Sequence, residues 1–308
     1  MSTYKIFKKM PLVSIHIISY NQVDFIDEAI QSALNQEYDN LEIIIADDGS
    51  TDGTCEVILE YGLKFPEIII PLVGGPNLGI TGNSNRGLAA CRGKYVAFMG
   101  GDDSFLPGKI SKQVEWLEAD KNRVLCYHDL DVYDSESGRT LYLWSQKYRF
   151  RTGDARSLVK YGTFFGATSV MIRYSHKLNI HFNENILVAS DWFMWIEILE
   201  RQTGTFGYIN GIFARYRRHK NNITSVASHY LHDALATIEA VEVLAPNKYK
   251  WECRQKKSEI YFLEAYKNLK LHEYWAMTTM LARSLWVCFG LWLAPSRLIF
   301  TKFLNQKI

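Results

Sequence analysis

Apolar residues in the first hundred positions come in short β-branched runs separated by stretches with helical spacing. Val13–Ile18 (VSIHII) is bounded by Ser19-Tyr20-Asn21 and predicts a buried strand. From Asp24 to Asn35, apolar residues at Phe25, Ile26, Ala29, Ile30, Ala33 and Leu34 predict a helix with Asp24 as its N-cap. Leu41–Ala46 is a second strand, Thr54–Phe65 a second helix and Glu67–Val73 a third strand that ends in a Gly-Gly-Pro-Asn turn. Asn83–Cys91 reads as a helix and Tyr95–Met99 as a fourth strand. This rhythm predicts an α/β fold built on a mostly parallel sheet with right-handed crossovers.

The middle of the chain is mixed. An amphipathic helix is expected over Lys109–Ala119, a strand over Val124–Tyr133, a loop followed by a strand over Thr163–Arg173 and a helix over Trp192–Arg201. From His229 the pattern is wholly helical, through Val243, then Trp251–Leu271, then Tyr274–Leu293. The polar run KNNITS sets a boundary near Ser225, which divides the chain into an α/β domain (1–225) and a helical C-terminal region (226–308).

Composition refines this picture in one respect. The 308 residues carry a net charge of +2 with 47% hydrophobic and 22% charged residues, which is globular and argues against nucleic acid as the main partner. The near-neutrality is uneven: residues 226–308 sum to +4 and residues 1–225 to −2. The five cysteines are scattered and lack zinc or disulfide spacing, which fits reduced thiols. The apolar run Leu12–Ile18 contains His16 and no cleavage signal follows it, so it reads as a core strand rather than a signal peptide. A cytoplasmic protein is the expectation.

Three polar clusters, Ser19-Tyr20-Asn21, DDGS (Asp47–Ser50) and GGDD (Gly100–Asp103), fall at predicted strand ends. In open α/β sheets ligands bind beyond the carboxyl ends of the strands, so these clusters predict one binding cleft. Adjacent carboxylates such as Asp102 and Asp103 repel in a low dielectric unless a proton or a hard cation offsets them. Mg2+ or Mn2+ shared with ligand phosphates would do this; a β-turn with a capping Asp is the plain structural alternative. In DDGSTDGT, Ser50–Thr54 are turn and N-cap residues.

These motifs, the block NLGITGNSNRGLAACRGKYVAFMGGDD and the later Ser190-Asp191-Trp192 together resemble family 2 glycosyltransferases of the GT-A fold, over about residues 10–225. The resemblance implies a Rossmann-like, mixed but mostly parallel sheet flanked by helices. It also implies metal-dependent, inverting transfer of a sugar from a nucleotide-sugar, usually UDP-linked, to a glycan or lipid-linked acceptor in bacterial surface polysaccharide assembly. By residue, it implies base contacts from Ser19, Tyr20 and Asp48, with Asp47 structural. Gly79 and Asn85 would face the nucleotide. Asp102 would contact the ribose or donor sugar, and Asp103 would bind the metal. The first position of the acidic triplet departs from the family, with Gly101 in place of Asp. Asp191 matches the catalytic base, preceded by Ser190 where Glu is common; an N-capping role is the alternative, and a helix N-terminus favours a low pKa there. Tyr216–Ser225 resembles the loop that closes over the donor, with Arg217 and His219 at the diphosphate and His219 a metal ligand.

His128, Asp129 and Asp131 on a strand could line the acceptor side, or His128 could be a satisfied core histidine; Trp192 and Trp195 could stack on a sugar or belong to the core. Residues 285–294 (LWVCFGLWLA) are too short to span a bilayer. Their aromatic bulk and flanking cations fit peripheral contact with the inner face of the cytoplasmic membrane, while packing on the catalytic domain or in a homo-oligomer is the alternative. Two other functions are compatible with the sheet: a nucleotidyltransferase, whose Gly-rich basic loop is missing from Ser19–Phe25, and a non-catalytic glycan-binding protein.

Overall fold

The computed structural model describes residues 10–188, 190–222 and 230–288. Nine strands form one sheet: β1 (Val13–Ser19), β2 (Leu41–Asp47), β3 (Ile69–Leu72), β4 (Tyr95–Gly100), β5 (Ser104–Phe105), β6 (Arg123–Asp134), β7 (Thr140–Leu143), β8 (Met171–Arg173) and β9 (Thr205–Arg218). Their order is β3-β2-β1-β4-β8-β6-β9-β5, with β7 on the flank of β6. The half β3-β2-β1-β4 is parallel throughout; β8 pairs antiparallel with both β4 and β6, and β6 with β9 is parallel again. The sheet is therefore mixed and mostly parallel, as the alternation implied.

The helices are α1 (Val23–Leu34), α2 (Thr54–Lys64), α3 (Gly79–Ala90), α4 (Lys109–Glu118), α5 (Ala155–Tyr161), α6 (Ser190–Gln202), α7 (Tyr230–Leu244), α8 (Lys250–Lys270) and α9 (Tyr274–Val287). Alternate strand residues face opposite layers. Ile43 and Ile45 pack with Ile26 and Ile30 of α1, Ile58 of α2 and Val114 of α4. Ile44 faces the other layer, with Leu88 of α3, Trp195 of α6 and Ile238 of α7. Both faces of the central strands are thus covered, which is why those strands read as continuous apolar runs. At Gly87, α3 lies so close to β1 that an added Cβ would stand 2.1 Å from His16 Nε2, so only glycine fits.

The sequence boundaries shift at several points. α1 begins at Val23, and it is Asp52 that accepts from the Val23 N–H (3.1 Å), while Asp24 sits in the first turn. α3 starts at Gly79, four residues before the expected position, because the polar segment 79–82 has no apolar periodicity to announce it. β9 is fourteen residues long and escaped the sequence pattern: Gly207, Asn210 and Gly211 interrupt its alternation, and its register with β6 shifts around His128 and Asp129. Residues 216–218, expected in a loop, are the end of this strand. The helical region shares the core of the α/β part, with Ile238, Val241 and Cys253 in the same buried cluster as the α6 residues Trp195 and Leu199. Of the expected last helix, residues 289–293 lie outside the described residues.

Candidate functional site

The carboxyl ends of β1, β2 and β4 and the end of β9 meet on one edge of the sheet. At β2, Asp47 is the hub of the turn that follows. Its carboxylate accepts from Ser19 Oγ (2.8 Å), Ser50 N (2.8 Å), Ser50 Oγ (2.6 Å) and Cys55 Sγ (3.0 Å). Burial raises its pKa, but these donors outweigh burial and the net shift is downward, so Asp47 is held as a carboxylate. The Ser19 hydroxyl, expected at the nucleotide base, is thereby engaged with Asp47 and buried. Tyr20 beside it is half exposed. Asp48 accepts from the Leu78 N–H through Oδ1 (2.7 Å), and no hydrogen bond to its Oδ2 occurs among the described residues.

Gly79 opens α3 at φ +73°, its N–H donating to Asn77 Oδ1 (3.0 Å), with open space where a side chain would stand. Asn85 is placed differently from the expectation. Its carboxamide accepts from Phe182 N (2.8 Å) and donates to Phe182 O (2.9 Å), so it pins residues 182–184 to α3. Arg86, in the same motif but not singled out from sequence, donates to the carbonyls of Asp47, Leu72 and Gly74 and to Asn83 Oδ1, tying the ends of β2 and β3 to α3.

After β4 the two acids part company. Asp103 is 3% exposed, accepting from Thr168 Oγ1 and from the Arg217 N–H (3.0 Å). Burial and the neighbouring Asp102 charge push its pKa well above the usual carboxylate range, against the pull of those two donors. Asp102 faces the other way: its Oδ2 stands 2.9 Å from His219 Nε2 and 3.2 Å from Asn222 Nδ2. Asn222 also accepts from the His219 N–H (2.6 Å) and donates to Arg217 O (3.1 Å), which folds the turn after β9 over Asp102. The structure thus brings His219 to Asp102, whereas the sequence reading paired His219 with Asp103.

The Arg217 guanidinium, expected at the diphosphate, is buried and committed elsewhere. It donates to Asp102 O (2.8 Å) and Glu28 Oε2 (2.5 Å) and lies 4.9 Å from the ring centroids of both Phe25 and Tyr133. Phe25 in turn packs on the His219 ring, with centroids 4.7 Å apart. Glu28, Thr168 and Asn222 were not legible as site residues. Each reaches the site through a partner more than sixty positions away: Thr168 through Asp103, Glu28 through Arg217 and Asn222 through Asp102.

Gly101 is buried, and an added Cβ would lie 2.5 Å from Gln22 Oε1, 3.0 Å from Ile26 Cδ1 and 3.1 Å from Ser19 Cβ. The departure at this position therefore fits the close approach of α1.

Asp191 stands in the first turn of α6, half-buried, its Oδ1 accepting from the Trp192 N–H (2.8 Å). Burial pushes its pKa up to about 6, against the downward pull of the Trp192 amide and the nearby Trp195 indole. Desolvation thus wins over the helix terminus, opposite to the sequence expectation. Among the described residues the Trp195 indole N–H has no partner in hydrogen-bond geometry, and its ring packs edge-on against Phe98 of β4 at 5.0 Å. Trp192 donates to Leu158 O and belongs to the core. Residues 186–188 before the helix are held by Thr81 of α3, which donates to Ile186 O (2.8 Å), and by Asp233 of α7, which accepts from Leu187 N (3.2 Å) and Val188 N (2.9 Å). His128 is a buried core histidine whose pKa burial drives well below its ordinary value. Asp129 is tied to Ser145, and Asp131 to Arg215 at 2.9 Å.

A mixed α/β sheet flanked by helices, with acids and a histidine gathered at its strand ends, is an α/β architecture of the GT-A kind. The model of "Glycosyl transferase family 2" matches residues 14–178, and the chain belongs to that family. It is 32% identical over 71% of its length to an uncharacterized glycosyltransferase of Haemophilus influenzae, spanning 69% of that protein. It is 31% identical over 70% of its length to the putative teichuronic acid biosynthesis glycosyltransferase TuaG of Bacillus subtilis, spanning 82% of it. The fold resembles S. aureus TarS 1-349 solved with UDP-GlcNAc (TM-score 0.66, 14% identity, 90% of this chain and 81% of that one). It also resembles the mannosyltransferase PcManGT of Pyrobaculum calidifontis solved with GDP-Man and Mn2+ (TM-score 0.52, 16% identity, 93% and 89%).

Proposed function

We propose that the chain is a metal-dependent inverting glycosyltransferase that moves a sugar from a nucleotide-sugar, UDP-linked by preference, to a glycan or lipid-linked acceptor in surface polysaccharide assembly. The observation that carries this reading is the Asp102–His219 pair at the sheet edge. Two ligands about 2.1 Å from one octahedral cation and at right angles to each other stand ~3.0 Å apart, and Asp102 Oδ2 and His219 Nε2 are 2.9 Å apart. Among the described residues no group of three or more His, Cys, Asp or Glu is arranged to hold a metal. Two protein ligands with diphosphate oxygens and water completing the shell is the usual pattern for Mg2+ or Mn2+ bound with a phosphate substrate. In this reading Asp102, not Asp103, shares the cation with His219, because Asp103 is buried behind it. A divalent cation held there would supply charge neutralisation for the departing nucleoside diphosphate.

The chain's own groups divide the remaining work. Asp48 offers a free carboxylate oxygen to the base or ribose, and Tyr20 an open ring beside it. The open backbone at Gly79 allows close approach of the nucleotide. Asp103, Thr168 and Arg217 hold Asp102 and the turn after β9 in place. Asp191, its pKa pushed up to about 6 by burial, accepts the proton of the acceptor hydroxyl as that oxygen attacks the anomeric carbon. Relatives named for teichuronic acid and chondroitin synthesis support a glycan-building role.

The test is hydrolysis of UDP-GlcNAc, UDP-glucose and GDP-mannose without acceptor, with Mn2+ or with EDTA. Metal-dependent release of nucleoside diphosphate from one donor is expected. Binding of donors with no turnover at any metal concentration would leave a glycan-binding protein instead.

A further inference from the structure

α9 packs on α8 with a defined rotation. Ser284 is buried and pairs with Ser258 of α8, Oγ to Oγ at 2.9 Å and each hydroxyl also donating to the other's carbonyl. At 100° per residue the opposite side of the helix carries Trp275, Ala282 and Trp286. The two tryptophans are 82% and 89% exposed, among the most exposed large apolar side chains described. They are eleven positions apart, about 16 Å along the axis. Thr278 and Arg283 border the same face, both exposed. Residues 274–308 contain Arg283, Arg297, Lys302 and Lys307 and no acid. No described helix is long and apolar enough to cross a membrane.

We propose that the outward face of α9, through Trp275 and Trp286 with Arg283 beside them, docks the protein on an anionic lipid bilayer. Tryptophans at both ends of a helix face with a cation beside them suit the headgroup layer, where the ring body is buried and the indole N–H stays wet. The charge pattern points the same way, since an acid-free segment of four cations is drawn to anionic headgroups. A second copy fits less well. Two tryptophans cover about 300–500 Å2, while a stable protein interface needs roughly 800 Å2 per partner, and a two-fold pairing of this face would set like charges together. The proposal does not rest on the transfer chemistry above.

The experiment is co-sedimentation of the full-length protein with phosphatidylcholine vesicles containing or lacking phosphatidylglycerol, at two salt concentrations. The expected result is binding to the anionic vesicles that weakens with salt. Trp275→Ser/Trp286→Ser should lose about tenfold or more in partition, and Arg283→Gln about fivefold. Each variant should keep the wild-type melting temperature and donor hydrolysis. Equal partition of wild type and the double variant would overturn the proposal. So would a wild-type dimer in light scattering that the double variant dissolves, since the face would then pair with its own copy.

Discussion

Asp102 Oδ2 stands 2.9 Å from His219 Nε2, joining the end of β4 to the turn after β9 across 117 positions of sequence. The neighbouring acid, Asp103, points away into the protein and fastens Thr168 and the Arg217 backbone. One carboxylate of the pair faces the turn after β9 at the sheet edge, and the other is built into the scaffold.

If Asp102 and His219 share the cation, His219→Ala should weaken Mn2+ by about ten- to a hundredfold, and Asp102→Asn by at least as much. Titration of Mn2+ at saturating donor, read as nucleoside diphosphate release, measures this. An unchanged Mn2+ midpoint in both variants would move the metal elsewhere.

Asp191→Asn should lower transfer by on the order of 10² to 10⁴ while donor affinity persists. If Asp191 is the base it must be ionised, so wild-type kcat should fall as pH drops through about 6. The stability effect has the opposite sign. A carboxyl whose folded pKa is raised favours the fold when protonated and loses that contribution as pH rises from its unfolded value, near 3.8, to about 6. Asp191→Asn should therefore be more stable than wild type at pH 7.5, by about 1–3 kcal/mol, in urea unfolding.

Thr168→Val removes a donor from a buried carboxylate. It should cost about 1–3 kcal/mol, with Thr168→Ser close to wild type. Chemical denaturation of the three proteins side by side gives the comparison.

Arg217 and Glu28 are ion-paired, yet the two ends differ. Arg217→Ala deletes a buried cation that also bonds Asp102 O and packs on Phe25 and Tyr133, and should cost about 2–4 kcal/mol. The Glu28 side chain is 52% exposed, so Glu28→Gln should cost less than about 1 kcal/mol. Equal losses would mean that the ion pair, rather than the Arg217 contacts, carries the effect.

Restoring an acid at Gly101 should not help. Gly101→Asp drives a side chain into Gln22, Ile26 and Ser19, with an expected cost of about 1–3 kcal/mol and lower donor hydrolysis. A gain of activity in that variant would show that α1 yields there.

Much of the sheet was legible because β1, β2 and β4 are buried on both faces, and uninterrupted apolar runs such as Ile43-Ile44-Ile45 betray that burial. β9 was not, since its glycines and register shifts break the alternation and its pairing with β6 supplies the order. For the site, the motifs located the strand ends, but not which oxygen at each end stays free.

The sequence by itself determined the α/β rhythm, the acids at the strand mouths, the helical basic tail and the resemblance to one family. Those are local properties, written in periodicity and in short motifs. Only the tertiary structure decided that Ser19 and Asn85 are engaged within the scaffold, that Arg217 is buried against Glu28, that His219 faces Asp102, and that burial pushes the Asp191 pKa up. Desolvation and hydrogen-bond partners come from residues distant along the chain, and a side chain's chemistry depends on them as much as on its own identity.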